Sequence, residues 1–431
     1  MTNTVRTQLF QKFGVSENGK LAIYGAGVFG QELRLMLKVL GMKPEMFLDK
    51  NPLKWRSRPS TDDEIPCNGP ETMLDAAANE TLVIVAIKNN PDKIREDLLA
   101  MGFRHVVLLG DIEEKFHDEI EKKIDEIGID LVSYMAKSGR GTDKCLEAGV
   151  FPMPVHFYQP VPDLADLQSR DIWSRVSKLD GLRWNTEKFL DYLSEVATFQ
   201  PEEGWLVAPS QNSMEFCLEN TGFSFVCASL LYGMILKNRP KRIIEIGSGN
   251  SSKVILQALS DIRSDANEGY DVEYTIIDPY CSFEEKHFAP LKVNILRIPV
   301  EEADMALFQA LESDDILFVD SSHVVRIGGD VNFEILDVLP ILAEGVFVHF
   351  HDIVMPYEYD KVYATNPKFR VFWTESYMLQ AFLAFNKAYE ILLPAAYLCK
   401  TQLETLESHY PNMMNHSNWG SGSFWIRRVY A

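Results

Sequence analysis

Residues 241–252 read KRIIEIGSGNSS, an apolar strand that ends in an acidic residue and runs directly into a glycine turn. Glycine permits a sharp turn and lets a ligand approach the backbone closely, and the amide groups at the start of the following helix are free to bind it. The stretch therefore predicts a pocket for a nucleotide-type cofactor, bordered by Glu245, Gly247, Ser248 and Gly249.

Further apolar strands follow this stretch at helix-length intervals. They read VEYTIIDPY (272–280), KVNILRIPV (292–300), DDILFVDSSH (314–323) and GVFVHFHDI (345–353). Alternating strands and helices are typical of a parallel sheet with helices on its faces, and such sheets bind ligands at the carboxyl ends of their strands. Asp278, Glu301, Asp320, His351 and Asp352 follow these strands and are candidate site residues. The terminal stretch GSGSFWIRRVY (420–430) predicts an edge strand.

The motifs EIGSGNSS, IDPY, LFVDSSH and VHFHDI, in this order, resemble the class I S-adenosylmethionine-dependent methyltransferases. They resemble in particular a bacterial small-molecule branch that occurs with glycan and natural-product genes. The resemblance spans about residues 150–431, including HFYQPVPD and SFWIRR. It implies that Glu245, Gly247 and Gly249 contact the methionine part of the cofactor, Asp278 the ribose and Glu301 the adenine edge. Alternatively, Glu245 and Asp278 only cap helices or terminate strands.

Asp320 follows the strand within residues 314–323, and His351 and Asp352 follow the strand within residues 345–353. If these two strands are neighbours in the sheet, the three residues lie close together. Two carboxylates and an imidazole form a candidate divalent-ion site. The layout resembles catechol O-methyltransferase and related antibiotic-tailoring methyltransferases, which implies magnesium ligands here. His351 stands where that resemblance implies an acidic residue, so a transition metal or no metal at all remains an alternative.

His323 lies three residues after Asp320, where the resemblance to the catechol enzyme implies a general base. An imidazole with an ordinary pKa of about 6.5 accepts a hydroxyl proton near neutral pH. Asp320 and His351 are further catalytic candidates, and His351 can exchange roles with His323. The alternative for His323 is a packing or strand-end hydrogen bond, and His349 is expected to be buried within its strand.

The N-terminal stretch KLAIYGAGVFG (20–30) is a second strand and glycine turn, with Gly25, Gly27 and Gly30 in G-x-G-x-x-G spacing. Asp49 ends the next strand, where a ribose is expected. The pattern resembles small nucleotide-binding domains fused to sugar-modifying acyltransferases and methyltransferases. It predicts a bound nucleotide, nucleotide sugar or NAD, with a packing-only domain as the alternative.

These patterns together predict an α/β protein with two doubly wound Rossmann-like domains in tandem, the C-terminal one with a class I methyltransferase fold. We expect a nucleotide-binding domain over residues 1–112, a helical linker with a proline-aromatic cap over 113–204, and the methyltransferase domain over 205–431. His156, Tyr158 and Asp163 in the cap either close the acceptor pocket or serve packing.

The chain has 431 residues and a formal net charge of −20, which repels nucleic acid and anionic membrane surfaces. No stretch is long and apolar enough to span a bilayer, and no signal peptide is recognisable, so a cytoplasmic location is expected. The six cysteines form no C-x-x-C pair, which argues against a zinc site and a disulfide framework.

We therefore expect an enzyme that methylates a hydroxyl of a sugar or another small metabolite, with S-adenosylmethionine as cofactor and base-assisted, optionally metal-assisted, transfer. Two other classes remain open. One is an NAD-dependent, sugar-modifying oxidoreductase, and the other is a non-catalytic, nucleotide-binding scaffold of a glycan pathway. The identity of the acceptor, nitrogen or carbon methylation, and homo-oligomerisation are left open by the sequence.

Overall fold

The computed structural model describes residues 4–50, 65–73, 76–124, 128–212, 214–220, 222–265, 270–367, 369–411 and 413–429. The chain divides into two compact units, Met1–Pro162 and Asp163–Ala431. This division falls inside the segment 113–204 that the sequence assigns to a linker and cap, and the predicted domain boundaries remain a prediction. Over the residues described, no helix combines the length and apolarity needed to cross a membrane.

The first unit is built on a five-stranded parallel sheet with the order β3-β2-β1-β4-β5. Its strands are β1 (Lys20–Tyr24), β2 (Met46–Leu48), β3 (Cys67–Asn68), β4 (Thr81–Val85) and β5 (His105–Leu108). Its helices are α1 (Thr4–Lys12), α2 (Val28–Val39), α3 (Pro91–Ala100), α4 (Glu113–Lys123), α5 (Ile129–Ser138) and α6 (Thr142–Glu147). The short β3 was not predicted from the sequence.

Successive residues of the first sheet point to opposite faces, as the period of two in a strand requires. Leu21 and Ile23 of β1 share a buried cluster with residues of α1, α2 and α4, including Phe116. Ala22 and Tyr24 belong to a second cluster that contains Leu98 of α3. Helices therefore cover both faces, and α4, predicted as part of a linker, belongs to the core of this unit.

The second unit contains a seven-stranded sheet with the order β11-β12-β10-β9-β6-β7-β8. Its strands are β6 (Arg242–Ile246), β7 (Glu273–Ile277), β8 (Val293–Leu296), β9 (Ile316–Val319), β10 (Phe347–Phe350), β11 (Tyr389–Pro394) and β12 (Phe424–Arg428). Its helices are α7 (Leu164–Ser169), α8 (Thr186–Val196), α9 (Phe225–Asn238), α10 (Asn250–Asp265), α11 (Met305–Gln309), α12 (Asp330–Phe333), α13 (Lys361–Thr365), α14 (Glu375–Leu383), α15 (Ala395–Thr401) and α16 (Leu403–His409).

The predicted strands β6 to β10 pair parallel with one another, which confirms the α/β class of this part of the chain. The prediction of β12 as an edge strand is wrong. It lies between β10 and β11 and pairs antiparallel with both, so β11 forms the edge. Apolar side chains on both faces of β12 suit a central strand, and Phe424, Trp425 and Ile426 are completely buried.

The strand order switches direction at β6. The chain first adds β7 and β8 on one side of β6, and β9 and β10 then lie on its other side. In open α/β sheets such a switch point leaves a crevice at the carboxyl ends of the strands, and ligands bind there. The residues that follow β6, β7, β9 and β10 therefore lie at the same side of the second sheet, where its parallel strands have their carboxyl ends.

Candidate active site

The turn after β6 packs directly on the end of β9. Gly247 has a φ of +79°, and a Cβ at this position would lie 2.0 Å from the carbonyl oxygen of Asp320. Only glycine fits such a conformation and contact. At Gly249, by contrast, a Cβ would meet no atom within 4 Å, so the space beside this residue is open.

Glu245 lies beneath this turn and is completely buried. Its carboxylate accepts hydrogen bonds from the hydroxyls of Ser251 (2.7 Å), Ser252 (2.8 Å) and Tyr274. Burial raises the pKa of Glu245 to about 7, against the opposing effect of these hydrogen bonds. In the described structure Glu245 thus holds the start of α10 and does not face open space, so its predicted contact with the cofactor remains a prediction.

Asp278 follows β7 and is half-buried beside the glycine turn. Its carboxylate accepts hydrogen bonds from the hydroxyl of Ser248 and from the backbone amide of Tyr280 at 2.7 Å. Glu301 is exposed in a 3-10 turn after β8, at Val300–Glu302. The structure therefore brings Ser248 and Asp278 into direct contact and places Glu301 on a different loop.

Asp320, His351 and Asp352 form a cluster at the ends of β9 and β10, as predicted. One ligand atom from each lies within 4.8 Å of the others. Nδ1 of His351 is 3.7 Å from Oδ1 of Asp320 and 3.5 Å from Oδ2 of Asp352. Asp352 adopts a φ of +53°. Its backbone lies so close to Gly422 that a Cβ added at Gly422 would lie 2.8 Å from the Cα of Asp352. Two carboxylates and one imidazole are a donor set that suits a divalent cation.

His323 lies against the same carboxylates. Its Nε2 is 3.4 Å from Oδ1 of Asp320 and 3.6 Å from Oδ2 of Asp352. Its Nδ1 lies 2.8 Å from Oε2 of Glu375, the first residue of α14. The backbone amides of Thr374 and Glu375 also donate to the carbonyl oxygen of His323. Glu375 is thus a site residue that the sequence analysis missed.

The charges of this cluster change the protonation expected for His323. Burial opposes its positive charge, but hydrogen bonds to Asp320 and Glu375 and their negative charges raise the pKa of His323 to about 10. Against its burial, the nearby carboxylates, Asp320 foremost, also raise the pKa of His351. The expected pKa of about 6.5 for His323 is therefore wrong for the chain by itself, where the imidazole is protonated at neutral pH.

The far side of His351 faces the buried helix α9. Its ring stacks on Phe223, with centroids 5.1 Å apart, and its Nε2 has no hydrogen-bond partner within the described part of the chain. Burial raises the pKa of the Cys227 thiol, but the charge of His351 and the hydroxyls of Ser224 and Ser421 outweigh this effect and lower it to about 6. His351 is consequently held between an acidic face and a buried sulfur atom.

A second buried carboxyl group lies behind Glu375. Glu334, at the start of a π-helical turn (Glu334–Val338), accepts a hydrogen bond from Ser321 at 3.1 Å. Burial and the charge of Glu375 raise the pKa of Glu334 well above its ordinary range. The sequence signal for both residues is weak, because each is one acidic residue in a helix.

The remaining candidates from the sequence are His349 and the residues of the cap. His349 is completely buried in β10, stacks on Phe318 and contacts Ser423, which confirms its expected burial. His156 and Tyr158 are exposed in the first unit. Asp163 caps α7 through the amides of Ala165 and Asp166. These contacts show a packing role for Asp163 and leave the acceptor-pocket interpretation a prediction.

The glycine turn of the first unit has the geometry expected from its motif. Gly25 has a φ of +95°, and a Cβ at Gly30 would lie 1.8 Å from the carbonyl oxygen of Gly25. The amide of Ala26 donates to Oδ2 of Asp49 at 3.0 Å. A Cβ at Gly27 would meet no atom within 4 Å. Gly25 and Gly30 are therefore required by packing, and Asp49 holds the turn.

Comparison with known families supports a coarse chemistry for the second unit. Residues 244–353 match a family described as "Methyltransferase domain". This part of the chain is similar to methyltransferase domains. The match begins inside β6 and ends one residue after Asp352, so it contains the loops after β6 to β9 and the first three residues after β10. It supports an α/β methyltransferase and implies S-adenosylmethionine as the methyl donor. Glu375 lies outside the matched part of the methyltransferase domain.

Individual proteins resemble the chain more distantly. An uncharacterised protein of Archaeoglobus fulgidus is 28% identical over 185 residues, which cover 41% of this chain and 81% of that protein. The crystal structure of the SAH-bound Podospora anserina methyltransferase PaMTH1 is 17% identical, with 58% of this chain and 98% of that chain covered and a TM-score of 0.30. The CmcI-N160 apo-structure is 16% identical, with 63% and 98% covered and a TM-score of 0.29. TM-scores this low establish neither a shared fold nor a shared substrate.

Proposed function

We propose that the second unit transfers a methyl group from S-adenosylmethionine to a hydroxyl oxygen of a small metabolite, with a sugar as the preferred acceptor class. The observation that carries this proposal is the cluster of Asp320, His323, His351, Asp352 and Glu375 at the strand ends beside the glycine turn. The cluster combines a candidate proton acceptor with a set of candidate metal ligands, and all of its members except Glu375 lie within the matched residues 244–353.

The cofactor pocket in this proposal is formed by the turn after β6 and by Asp278. The space beside Gly249 is open, and α10 begins at the next residue, Asn250; the N-terminus of a helix suits the carboxylate of a methionine group. The half-buried carboxylate of Asp278 suits the ribose hydroxyls, and the exposed Glu301 suits the adenine edge. Glu245 is assigned a positioning role, because its hydrogen bonds fix the residues that begin α10.

The chemical step needs alignment and removal of one proton. Bound S-adenosylmethionine supplies an already activated methyl group, so the chain aligns the acceptor oxygen with it. We assign the removal of the hydroxyl proton to Nε2 of His323, which Glu375 orients through Nδ1. Because the surrounding carboxylates keep this imidazole protonated in the chain by itself, the role requires another positive charge beside Asp320 and Asp352.

A divalent cation fits this requirement. Asp320, His351 and Asp352 would hold it, and their mixed nitrogen and oxygen donors suit manganese or another transition metal as well as magnesium. When bound, such an ion lowers the pKa of acceptor hydroxyls, which suits a vicinal diol of a sugar or a catechol-like ring. The ion would also occupy Asp320, one of the two carboxylates that raise the pKa of His323.

The first unit is proposed to bind a nucleotide or nucleotide sugar at Gly25, Gly27, Gly30 and Asp49. The open space beside Gly27 and the packed turn formed by Gly25 and Gly30 support this assignment. NAD is the other ligand class that the motif suits, and it would favour the oxidoreductase alternative.

Methyl transfer is tested by incubating the full chain with S-adenosylmethionine, Mn²⁺ or Mg²⁺ and a panel of acceptors that contain vicinal diols. We expect formation of S-adenosylhomocysteine with at least one acceptor, and a loss of at least about 100-fold in His323→Ala. Unchanged turnover in His323→Ala would remove this residue as the base. Transfer only to amines or carbon acids would contradict the O-methylation.

A further inference from the structure

Aromatic side chains lie beside the acidic cluster, on the segment that follows β10. The ring centroid of Trp373 is 4.8 Å from that of His323. The ring centroid of Tyr363, on α13, is 4.4 Å from that of Trp373, and the buried Tyr359 contacts Trp373 with centroids 5.8 Å apart. We call Tyr363 and Trp373 the aromatic wall.

The backbone fixes the aromatic wall relative to the candidate base. Thr374, the residue after Trp373, donates its backbone amide to the carbonyl oxygen of His323 at 2.8 Å. The hydroxyl of Thr374 accepts a hydrogen bond from the amide of Val325, also at 2.8 Å. These bonds join the segments on either side of the cluster, so Trp373 is held beside His323 by the main chain as well as by its ring.

The aromatic wall borders the side from which the cluster can be reached. The side chains of His323 and His351 are almost completely buried, whereas those of Asp320 and Asp352 are each 31% exposed. Burial and the charge of Asp352 raise the pKa of Tyr363, so its ring lies within electrostatic range of that carboxylate. Both residues of the aromatic wall are only half-buried. A ligand that approaches the carboxylates therefore meets aromatic side chains.

The chemistry of the aromatic wall favours one shape of ligand. Small-molecule pockets are lined mainly by apolar and aromatic side chains, with a few polar groups that orient the ligand. A flat ring makes extended contact with an indole or phenol ring, whereas an open chain covers less of it and loses more rotational freedom on binding. Phe369, which is 55% exposed and 6.2 Å from Tyr363 between ring centroids, extends the apolar surface outwards.

We propose that Tyr363 and Trp373 form the acceptor subsite, and that the acceptor is a six-membered ring with neighbouring hydroxyl groups, stacked on the aromatic wall with these hydroxyls at the cluster. The inference rests on the proposed methyl transfer and adds the residues that select the acceptor. A pyranose sugar offers an apolar C–H face and a catechol an aromatic face, and both carry a vicinal diol. An open-chain diol lacks such a face and is expected to be a poor ligand.

The subsite is tested by calorimetric titration of the full chain in Mg²⁺, with and without S-adenosylhomocysteine. The ligands are a methyl pyranoside with a vicinal diol, catechol and 2,3-butanediol. We expect at least one ring diol to bind at least about tenfold more tightly than 2,3-butanediol, and Trp373→Ala to remove this preference. The stronger of the two ring ligands tells a saturated acceptor from an aromatic one. Phe385→Ala, at an exposed aromatic residue beyond the end of α14, is the matched control and should change none of these affinities.

Two further variants separate stacking from packing. Trp373→Leu keeps an apolar side chain without a flat face, and Tyr363→Phe keeps the ring without its hydroxyl. We expect the first to lose the preference for ring diols and the second to keep it. A purely structural role would instead weaken all three diols alike and lower the melting temperature. If Trp373→Ala does not fold, Trp373→Leu and Tyr363→Ala provide the same test.

The outcomes distinguish this inference from the proposed methyl transfer. Equal binding of ring and open-chain diols by the natural chain would overturn the subsite, even if S-adenosylhomocysteine forms from S-adenosylmethionine. A ring preference that survives in the folded variants of Trp373 and in Tyr363→Ala would overturn it as well. A ring preference that Trp373→Ala removes, without methyl transfer to any diol, would support the subsite and contradict the proposed reaction.

Discussion

Nδ1 of His323 lies 2.8 Å from Oε2 of Glu375, and the two residues are 52 positions apart in the chain. This contact turns the opposite nitrogen of His323 towards Asp320 and Asp352. A buried carboxylate that fixes an imidazole in one orientation is a recurrent way to prepare a histidine for proton transfer. The contact therefore links α14, outside the matched methyltransferase domain, to the proposed chemistry.

The first prediction concerns the charge of Glu375. In Glu375→Gln the side chain can still accept a hydrogen bond from Nδ1, but the negative charge that helps to raise the pKa of His323 is lost. Activity that depends on neutral His323 rises as pH increases through this pKa. We therefore expect the rising limb of the pH–rate profile to move to lower pH by about one unit, with S-adenosylmethionine affinity unchanged within about twofold. An unmoved limb would contradict the positioning role of Glu375.

The second prediction concerns metal binding by Asp352. Its φ of +53° is tolerated by asparagine, so Asp352→Asn removes the charge without forcing a new backbone conformation. We expect calorimetric titration with Mn²⁺ to show binding and proton release in the natural chain, since the nearby carboxylates raise the pKa of His323 to about 10 and also raise that of His351. Asp352→Asn should weaken this binding by at least about tenfold. The exposed Asp337 offers a control in Asp337→Asn, and equal loss there would contradict a specific site.

The third prediction compares two glycines of one turn. Gly247→Ala forces a Cβ to within 2.0 Å of a carbonyl oxygen at a φ of +79°, so it should destabilise the second unit by more than about 1 kcal/mol. Gly249→Ala meets no protein atom within 4 Å and should alter stability by less than about 0.5 kcal/mol. If the cofactor lies against this turn, Gly249→Ala should nevertheless weaken its binding. Unchanged affinity in a stable Gly249→Ala variant would place the cofactor elsewhere.

The fourth prediction concerns the pH dependence of stability that arises from Glu245. Its pKa is about 7 in the folded chain and near the ordinary value of 4.5 in the unfolded chain. Between these values the folded state holds a proton that the unfolded state has lost, so stability falls as pH rises. This contribution is up to roughly 3 kcal/mol between pH 4.5 and 7.

Urea unfolding at several pH values measures this effect. Six of the seven tryptophans lie after residue 163, so tryptophan fluorescence reports mainly on the second unit. Glu245→Gln should show a smaller loss of stability than the natural chain over this pH range. Parallel pH dependences in the two proteins would contradict the raised pKa.

The sequence predicted those parts of the structure that depend on a single strand and the residue directly after it. The strands β6 to β10 are apolar runs followed at once by a turn or a polar residue, so both the parallel sheet and the position of Asp320 beside His351 could be predicted. The same reasoning located the glycine turns, because Gly25 and Gly247 need conformations that other residues avoid.

Features that depend on packing between distant segments could not be predicted. β12 inserts between β10 and β11, although its sequence carries no signal for its neighbours. Glu375 begins an ordinary helix, and only the folded chain brings it to His323. The pKa of His323 likewise depends on the combined charges of Asp320 and Glu375, which come from two separate segments. A local pattern contains none of this information.

The central claim, that the pocket beside Gly249 and Asp278 binds S-adenosylmethionine, is tested most directly by calorimetric titration of the full chain with S-adenosylmethionine and, separately, with NAD. We predict that S-adenosylmethionine binds and that Asp278→Ala weakens this binding by at least about tenfold, because the ribose hydroxyls would lose the carboxylate that accepts their hydrogen bonds. Asp49→Ala, the equivalent change in the first unit, should leave this binding unchanged. Binding of NAD alone, or S-adenosylmethionine binding that Asp278→Ala leaves intact, would contradict the account.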